Sequence, residues 1–136
     1  MPRITRVLET ALYVDDLTRA KEFYARHLDL AQLFCDERMC AFAIGESVLL
    51  LFVRGEGASP ARTPGGTIPP HDGHGPLHVA FAIDESDLDA WKRRLDHAGI
   101  ELESRVDWPR GGKSIYFRDP DGHLLEFATP GLWANY

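Results

Sequence analysis

The sequence predicts an α+β protein in which one βαβββ unit is used twice. Three observations carry this. Val7 to Val14 has strand character, and Asp15-Asp16 then precede apolar residues at helical spacing, Leu17, Ala20, Tyr24 and Leu28. The order returns 69 residues later, where Leu8-Glu9-Thr10-Ala11-Leu12-Tyr13-Val14-Asp15 lies over Leu77-His78-Val79-Ala80-Phe81-Ala82-Ile83-Asp84. Finally, at an offset of 75, Phe42 lies over Phe117 and Leu49 to Phe52 lies over Leu124 to Phe127, which sets Leu51 on Glu126.

Each element has its own signal. In the first half, Asp15 or Asp16 is a helix N-cap, and Leu30 to Cys35, Met39 to Ile44 and Ser47 to Val53 read as strands, the last two joined at Gly45-Glu46. In the second half, Leu77 to Ile83 is a strand and Ser86 or Asp87 caps a helix carrying Leu88, Trp91, Leu95 and Ala98. Gly99 ends that helix. Strands at Glu101 to Val106, Ser114 to Arg118 and Leu124 to Thr129 follow, with Asp119-Pro120-Asp121-Gly122 a strong turn between the last two. The predicted organisation is one domain over 1–136: module one at about 4–54, a connecting loop at 54–76, and module two at about 77–130. With six Gly and five Pro in 23 residues, that loop is expected to lack regular structure and to serve as a linker or a lid.

Composition narrows the function. A chain of 136 residues with 44% hydrophobic and 26% charged residues can build one core. The net charge of −6 has the wrong sign for a protein that binds phosphate backbones, so no nucleic-acid partner is expected. The longest apolar run, Val48 to Val53, is far below the ~20 residues of a membrane span, and Met1-Pro2-Arg3-Ile4 opens no signal-peptide pattern. The reading is a cytoplasmic protein with no membrane partner. Cys35 and Cys40 could face each other across a turn, but in a reducing compartment they are expected as free thiols.

Strand parity sorts the polar residues, because alternate side chains point to opposite faces of a sheet. Glu9, Ala11 and Tyr13 share one face, as do His78, Ala80 and Ala82; Glu126 lies with Leu124 and Ala128, and Tyr116 with Ser114 and Arg118. If the sheet curls, Glu9, His78, Tyr116 and Glu126 converge on a surface lined by small residues, with room for a ligand. Two carboxylates packed beside an imidazole must share a proton or repel, and a divalent cation removes the conflict.

These residues lie within a longer resemblance. Leu12-Tyr13-Val14-Asp15-Asp16-Leu17 leading to Phe23-Tyr24, then His78-Val79-Ala80-Phe81, and above all Tyr116-Phe117-Arg118-Asp119-Pro120-Asp121-Gly122-His123-Leu124-Leu125-Glu126, resemble the vicinal oxygen chelate superfamily. That group contains glyoxalase I, extradiol dioxygenases, fosfomycin-resistance enzymes and bleomycin-binding proteins. The resemblance implies paired βαβββ modules in an open, cupped eight-stranded barrel, with a metal held on its inner face by Glu9, His78 and Glu126. Glu9 departs from the commoner His at its position. Two carboxylates and one imidazole give a neutral centre, and the expected cofactor is one divalent ion, Mn²⁺, Fe²⁺, Ni²⁺, Zn²⁺ or Mg²⁺. Glyoxalase I-like enzymes also use an acidic ligand from the last strand of a first module; Leu51 stands there, which disfavours that assignment.

Other residues flank the expected site. Tyr116 resembles a tyrosine of extradiol dioxygenases and fosfomycin-resistance enzymes, and either donates a proton there or fills the barrel with its hydroxyl bonded to backbone. Trp108 and Arg110 combine an aromatic wall with a cation and are the candidate substrate-binding residues. His71 and His74 read as exposed loop histidines. The leading function is a metal-dependent enzyme acting on a small oxygen-rich molecule by isomerisation, dioxygenation or addition. A non-catalytic drug-binding or metabolite-binding protein of the same fold is the alternative. A homodimer is expected, because a cupped sheet leaves edges and a mouth for a second copy to cover.

Overall fold

The computed structural model describes residues 1–136, and the chain forms two compact units, Met1–His74 and Gly75–Tyr136. Each is built around one four-stranded sheet with one helix-bearing crossover, so the α+β class and the twofold βαβββ order both stand.

In unit one the strands are β1 (Glu9–Val14), β2 (Ala31–Cys35), β3 (Met39–Ile44) and β4 (Ser47–Val53), in the order β1-β4-β3-β2, with β1 parallel to β4. Helix α1 (Leu17–Glu22) starts where expected: Asp16 is its N-cap, and its side chain accepts from the Arg19 amide at 3.1 Å. It passes into a π-helical turn, Phe23–His27, whose widened turn lets the adjacent Phe23 and Tyr24 both bury, edge to face at 5.1 Å. Leu12, Val14, Leu49, Leu51, Cys40 and Phe42 are buried on the helix side. Glu9, Ala11, Tyr13, Leu50, Phe52 and Met39 occupy the other face, as parity requires.

Three expectations are corrected in this unit. The connecting loop is not irregular: β5 (Ala61–Thr63) and β6 (Gly66–Ile68) pair as a small antiparallel hairpin, with the Pro64-Gly65 step at its turn. The cysteines are not free. Register pairs Cys35 with Cys40 at the end of the β2–β3 hairpin, 4.1 Å apart at Cα, and they are joined as a disulfide. The tight Asp36 turn, in which Oδ1 accepts from the amides of Arg38 and Met39, brings the thiols together. Leu51 is not the counterpart of Glu126. Glu9 pairs with Val48 and His78 with Leu124, so Leu50 holds the equivalent place, while Leu51 is buried toward the helix. The offset grows by one because six residues separate the register partners Phe42 and Leu49, and seven separate Phe117 and Leu125.

Unit two repeats the plan with β7 (His78–Ala82), β8 (Ser104–Asp107), β9 (Lys113–Arg118) and β10 (Leu124–Ala128) in the order β7-β10-β9-β8. Helix α2 (Leu88–His97) buries Leu88 and Leu95. Trp91, at their edge, packs on Phe127 at 4.6 Å, and Phe117 packs on the same ring at 4.9 Å. Gly99, at φ +71°, ends the helix, where its amide and that of Ile100 return to the carbonyls of Asp96 and Leu95.

Candidate metal centre

The face of unit two opposite α2 presents His78 and Ala80 from β7, Glu126 from β10, and Ser114 and Tyr116 from β9. His78 and Glu126 come together there, with Nε2 to Oε1 at 3.3 Å. The imidazole is half exposed and the carboxylate is nearly closed to solvent, at 4%.

Both groups are fixed from behind. His78 Nδ1 lies 2.8 Å from the Leu124 carbonyl, which can only accept, so Nδ1 donates there and Nε2 is the nitrogen turned toward Glu126. Glu126 Oε2 accepts from the Ser114 hydroxyl at 2.6 Å, and Ser114 Oγ accepts from Trp108 Nε1 at 2.8 Å. A relay therefore runs from the indole through the serine to the carboxylate and leaves Oε1 facing His78.

The Asp119-Pro120-Asp121-Gly122-His123 turn seats this pair. Asp119 Oδ1 accepts from the amides of Asp121 and His123, and Gly122 closes the turn at φ +81°. His123, fully buried, accepts the Leu77 amide on Nδ1 at 2.9 Å, while the Leu124 amide donates to the Leu77 carbonyl. The residue before His78 is thus bound on both backbone groups by the turn that leads into Glu126.

These atoms fit a divalent ion. Metal–ligand bonds of about 2.1 Å, at angles between octahedral and tetrahedral, separate two ligand atoms by about 3.0–3.4 Å; Nε2 and Oε1 stand 3.3 Å apart. An imidazole whose other nitrogen donates to a carbonyl, beside a carboxylate whose other oxygen is hydrogen-bonded, is the usual outer arrangement of a metal site. Neither unit gathers three His, Cys, Asp or Glu groups of its own. Glu9 lies in unit one at the start of β1, exposed and with no hydrogen bond or ion pair.

Tyr116 is the register partner of Glu126, and its ring stacks with His78 at 6.4 Å. Burial, and then the negative charge of Glu126, push its hydroxyl above the ordinary tyrosine pKa, so at neutral pH it keeps its proton. Of the two candidate substrate residues, Trp108 is committed through Nε1 to Ser114. Arg110 makes no hydrogen bond or ion pair of its own, and lines a cavity with Leu132 and Trp133. Sequence reasoning did not single out Ser114 or His123 as functional; the turn motif pointed to His123, but nothing marked Ser114 beyond its parity. His71 is an exposed loop histidine, as expected, and it has a partner. Its Nδ1 and the Tyr13 hydroxyl share a 2.7 Å hydrogen bond in unit one.

The sequence and fold have known relatives. Residues 6–127 match the family model described as the Glyoxalase/Bleomycin resistance protein/Dioxygenase superfamily. The metallothiol transferase FosB of Shouchella clausii (strain KSM-K16) is 52% identical over 59 residues, covering 40% of this chain and 39% of the relative. The chain spans about two fifths of the length of the curated relatives it matches. The crystal structure of a lactoylglutathione lyase from Agrobacterium tumefaciens is 34% identical with a TM-score of 0.89, covering 98% of this chain and 99% of that one. The fosfomycin resistance protein FosX from Mesorhizobium loti superposes with a TM-score of 0.64 at 27% identity, over 93% of both chains.

Proposed function

Because the chain belongs to the glyoxalase/bleomycin resistance protein/dioxygenase superfamily, we propose that it is a metal-dependent enzyme acting on a small oxygen-bearing molecule, with Glu9, His78 and Glu126 as its metal ligands. The observation that carries this reading is the 3.3 Å approach of His78 Nε2 to Glu126 Oε1, each fixed on its far side by a separate hydrogen bond. The two carboxylates balance the charge of a divalent ion, and this donor set suits Mn²⁺, Fe²⁺ or Mg²⁺ ahead of Ni²⁺ or Zn²⁺. When bound, the ion supplies a Lewis acid that polarises substrate oxygen.

The chain's own residues do the rest. Leu124 O and Ser114 Oγ orient the two ligands, and Trp108 orients Ser114. The Tyr116 hydroxyl, still protonated at neutral pH, holds a proton beside Glu126 that can be delivered to a developing oxyanion. Among isomerisation, dioxygenation and addition, kinship with a metallothiol transferase and a glutathione transferase favours addition of a thiol. Paired modules closing a cupped barrel, within one chain or between two chains of a homodimer, would bring Glu9 to the other two ligands. No helix is long and apolar enough to cross a membrane.

The test is turnover. Mn²⁺-loaded protein is incubated with fosfomycin, the compound named for the resistance-protein relatives, and a low-molecular-weight thiol, and thiol loss is followed. Consumption that disappears in His78→Ala is expected. Saturable binding of the oxygen-bearing compound with no turnover under any of the five metals would overturn the enzyme in favour of a binding protein.

A further inference from the structure

The turn between β8 and β9 and the tail that follows β10 are joined backbone to backbone. The Gly112 amide donates to the Gly131 carbonyl at 3.2 Å, and a Cβ on either glycine would strike the other's main chain: from Gly131 it would meet the Gly112 nitrogen at 2.5 Å and the Arg110 carbonyl oxygen at 2.9 Å. Gly131 also stands at φ +103°, so this approach needs glycine. The tail then closes on itself. The Gly131 amide donates to the Tyr136 main-chain oxygen at 2.9 Å, the Tyr136 amide to the Trp133 carbonyl at 3.0 Å, and the Tyr136 hydroxyl to the Ala128 carbonyl at 2.8 Å. Between turn and tail this leaves a cavity of about 390 Å³, in the range of small-molecule sites, with Pro109, Arg110, Leu132, Trp133 and Ala134 on its walls.

We propose that this cavity binds a small planar aromatic carboxylate. Arg110 is the only charged residue on its walls, and its guanidinium has no hydrogen bond or ion pair within the chain, so its N–H donors are free for a ligand. A guanidinium takes a carboxylate through two parallel hydrogen bonds, which fixes the plane of the group it holds. The aromatic body has its own platform. Trp133 is 69% exposed, and no ring or cation of the chain lies on its indole. Pro109, Leu132 and Ala134 supply the remaining apolar contacts. Because the paired glycines lock the turn to the tail, the cation and the indole are held together before any ligand arrives.

One cation sets the charge of the ligand. A monoanion is neutralised by Arg110, a phosphate dianion would leave a negative charge uncompensated against apolar walls, and a neutral phenol would forgo the ion pair. The inference goes beyond the metal reading, because none of His78, Ser114, Tyr116 and Glu126 lines this cavity and Glu9 belongs to unit one. It also separates two neighbours in sequence. Trp108 turns its indole to Ser114 behind the metal ligands, while Arg110 serves the cavity beside the tail.

The experiment uses the full chain in EDTA, titrated with 2-naphthoate and, separately, with uncharged 2-naphthol. The chain has three tryptophans, so the indole N–H resonance of Trp133, assigned through Trp133→Phe, is read against that of Trp91, which packs on Phe127. Saturable 2-naphthoate binding that shifts Trp133 and leaves Trp91 unmoved is expected, with 2-naphthol weaker by about tenfold or more, the factor that hydrogen bonds to a charged group carry. Arg110→Gln should weaken 2-naphthoate by about the same factor, and Trp133→Ala should weaken it too; both side chains are exposed, so the circular dichroism spectrum stays unchanged. His78→Ala should bind 2-naphthoate as wild type does, which keeps this outcome separate from that of the metal centre. Equal affinity for the two probes, an Arg110→Gln protein that binds 2-naphthoate undiminished, or a loss of binding in His78→Ala would overturn the proposal. So would a Trp133 resonance that moves with protein concentration and with neither probe, which would assign the indole to a contact between copies of the chain.

Discussion

Replacing Ser114 with alanine removes one oxygen and breaks two hydrogen bonds at the metal centre. Ser114 is 1% exposed; its hydroxyl donates to a carboxylate that is 4% exposed and accepts from the Trp108 indole. A hydrogen bond to a charged, buried acceptor contributes about 1.5–3 kcal/mol, so urea unfolding of the metal-free variant should show a loss in that range. Metal binding should weaken as well, since Glu126 Oε2 loses the anchor that turns Oε1 to His78. Removing such an outer partner typically costs about 10–100-fold in affinity, readable by titration calorimetry with Mn²⁺. Trp108→Phe keeps the Ser114 bond to Glu126 and deletes only the orienting N–H, so its Mn²⁺ affinity should fall between wild type and Ser114→Ala. The relay is refuted if Ser114→Ala binds Mn²⁺ as wild type does, or if Trp108→Phe is the worse of the two.

Three further outcomes are expected. Asp72 is held below its usual pKa by the amides of Gly55 and Gly73, so the connecting loop is stabilised above about pH 3.8 and that contribution is lost as pH falls through the lower folded value; acid titration followed by tyrosine absorbance should show the loop released there, and Asp72→Asn should remove the transition. Gly73→Ala forces a Cβ into the Tyr13 ring and should cost about 1–3 kcal/mol with increased tyrosine exposure, which solvent-perturbation absorbance would detect. Glu9→His changes the proposed ligand set to two imidazoles and one carboxylate, so competition should shift toward Zn²⁺ or Ni²⁺ over Mn²⁺; an unchanged preference would remove Glu9 from the ligand set.

Much of this was legible in residue order. The alternation of Leu12 and Val14 against Glu9 and Tyr13 fixes which face meets α1, and the buried side chains follow it. Asp16 and Gly99 bound their helices through local chemistry that needs no tertiary context. His78 and Glu126 were legible as a pair because β7 and β10 are parallel neighbours, a pairing the repeat implies. Other features depended on distances that patterns do not encode. Counting along the chain put Leu51 opposite Glu126, but hydrogen-bond register skips one residue at the longer turn and puts Leu50 there. The β5–β6 hairpin was hidden by the Gly and Pro density that builds its turn, and the Cys35–Cys40 bond follows from the Asp36 turn rather than from compartment arguments. Ser114 carried no signal because serine on a strand is ordinary until a carboxylate lies 2.6 Å away.

The central claim is that His78 and Glu126 hold a divalent ion. Calorimetric titration of metal-free protein with Mn²⁺, repeated on His78→Ala and Glu126→Gln, tests it directly. Wild type should bind one ion per chain, and each variant should lose at least roughly a hundredfold in affinity, beyond what loss of an outer partner alone produces. Stoichiometric binding that survives His78→Ala undiminished, or wild-type protein that takes up none of Mn²⁺, Fe²⁺, Ni²⁺, Zn²⁺ and Mg²⁺, would contradict it.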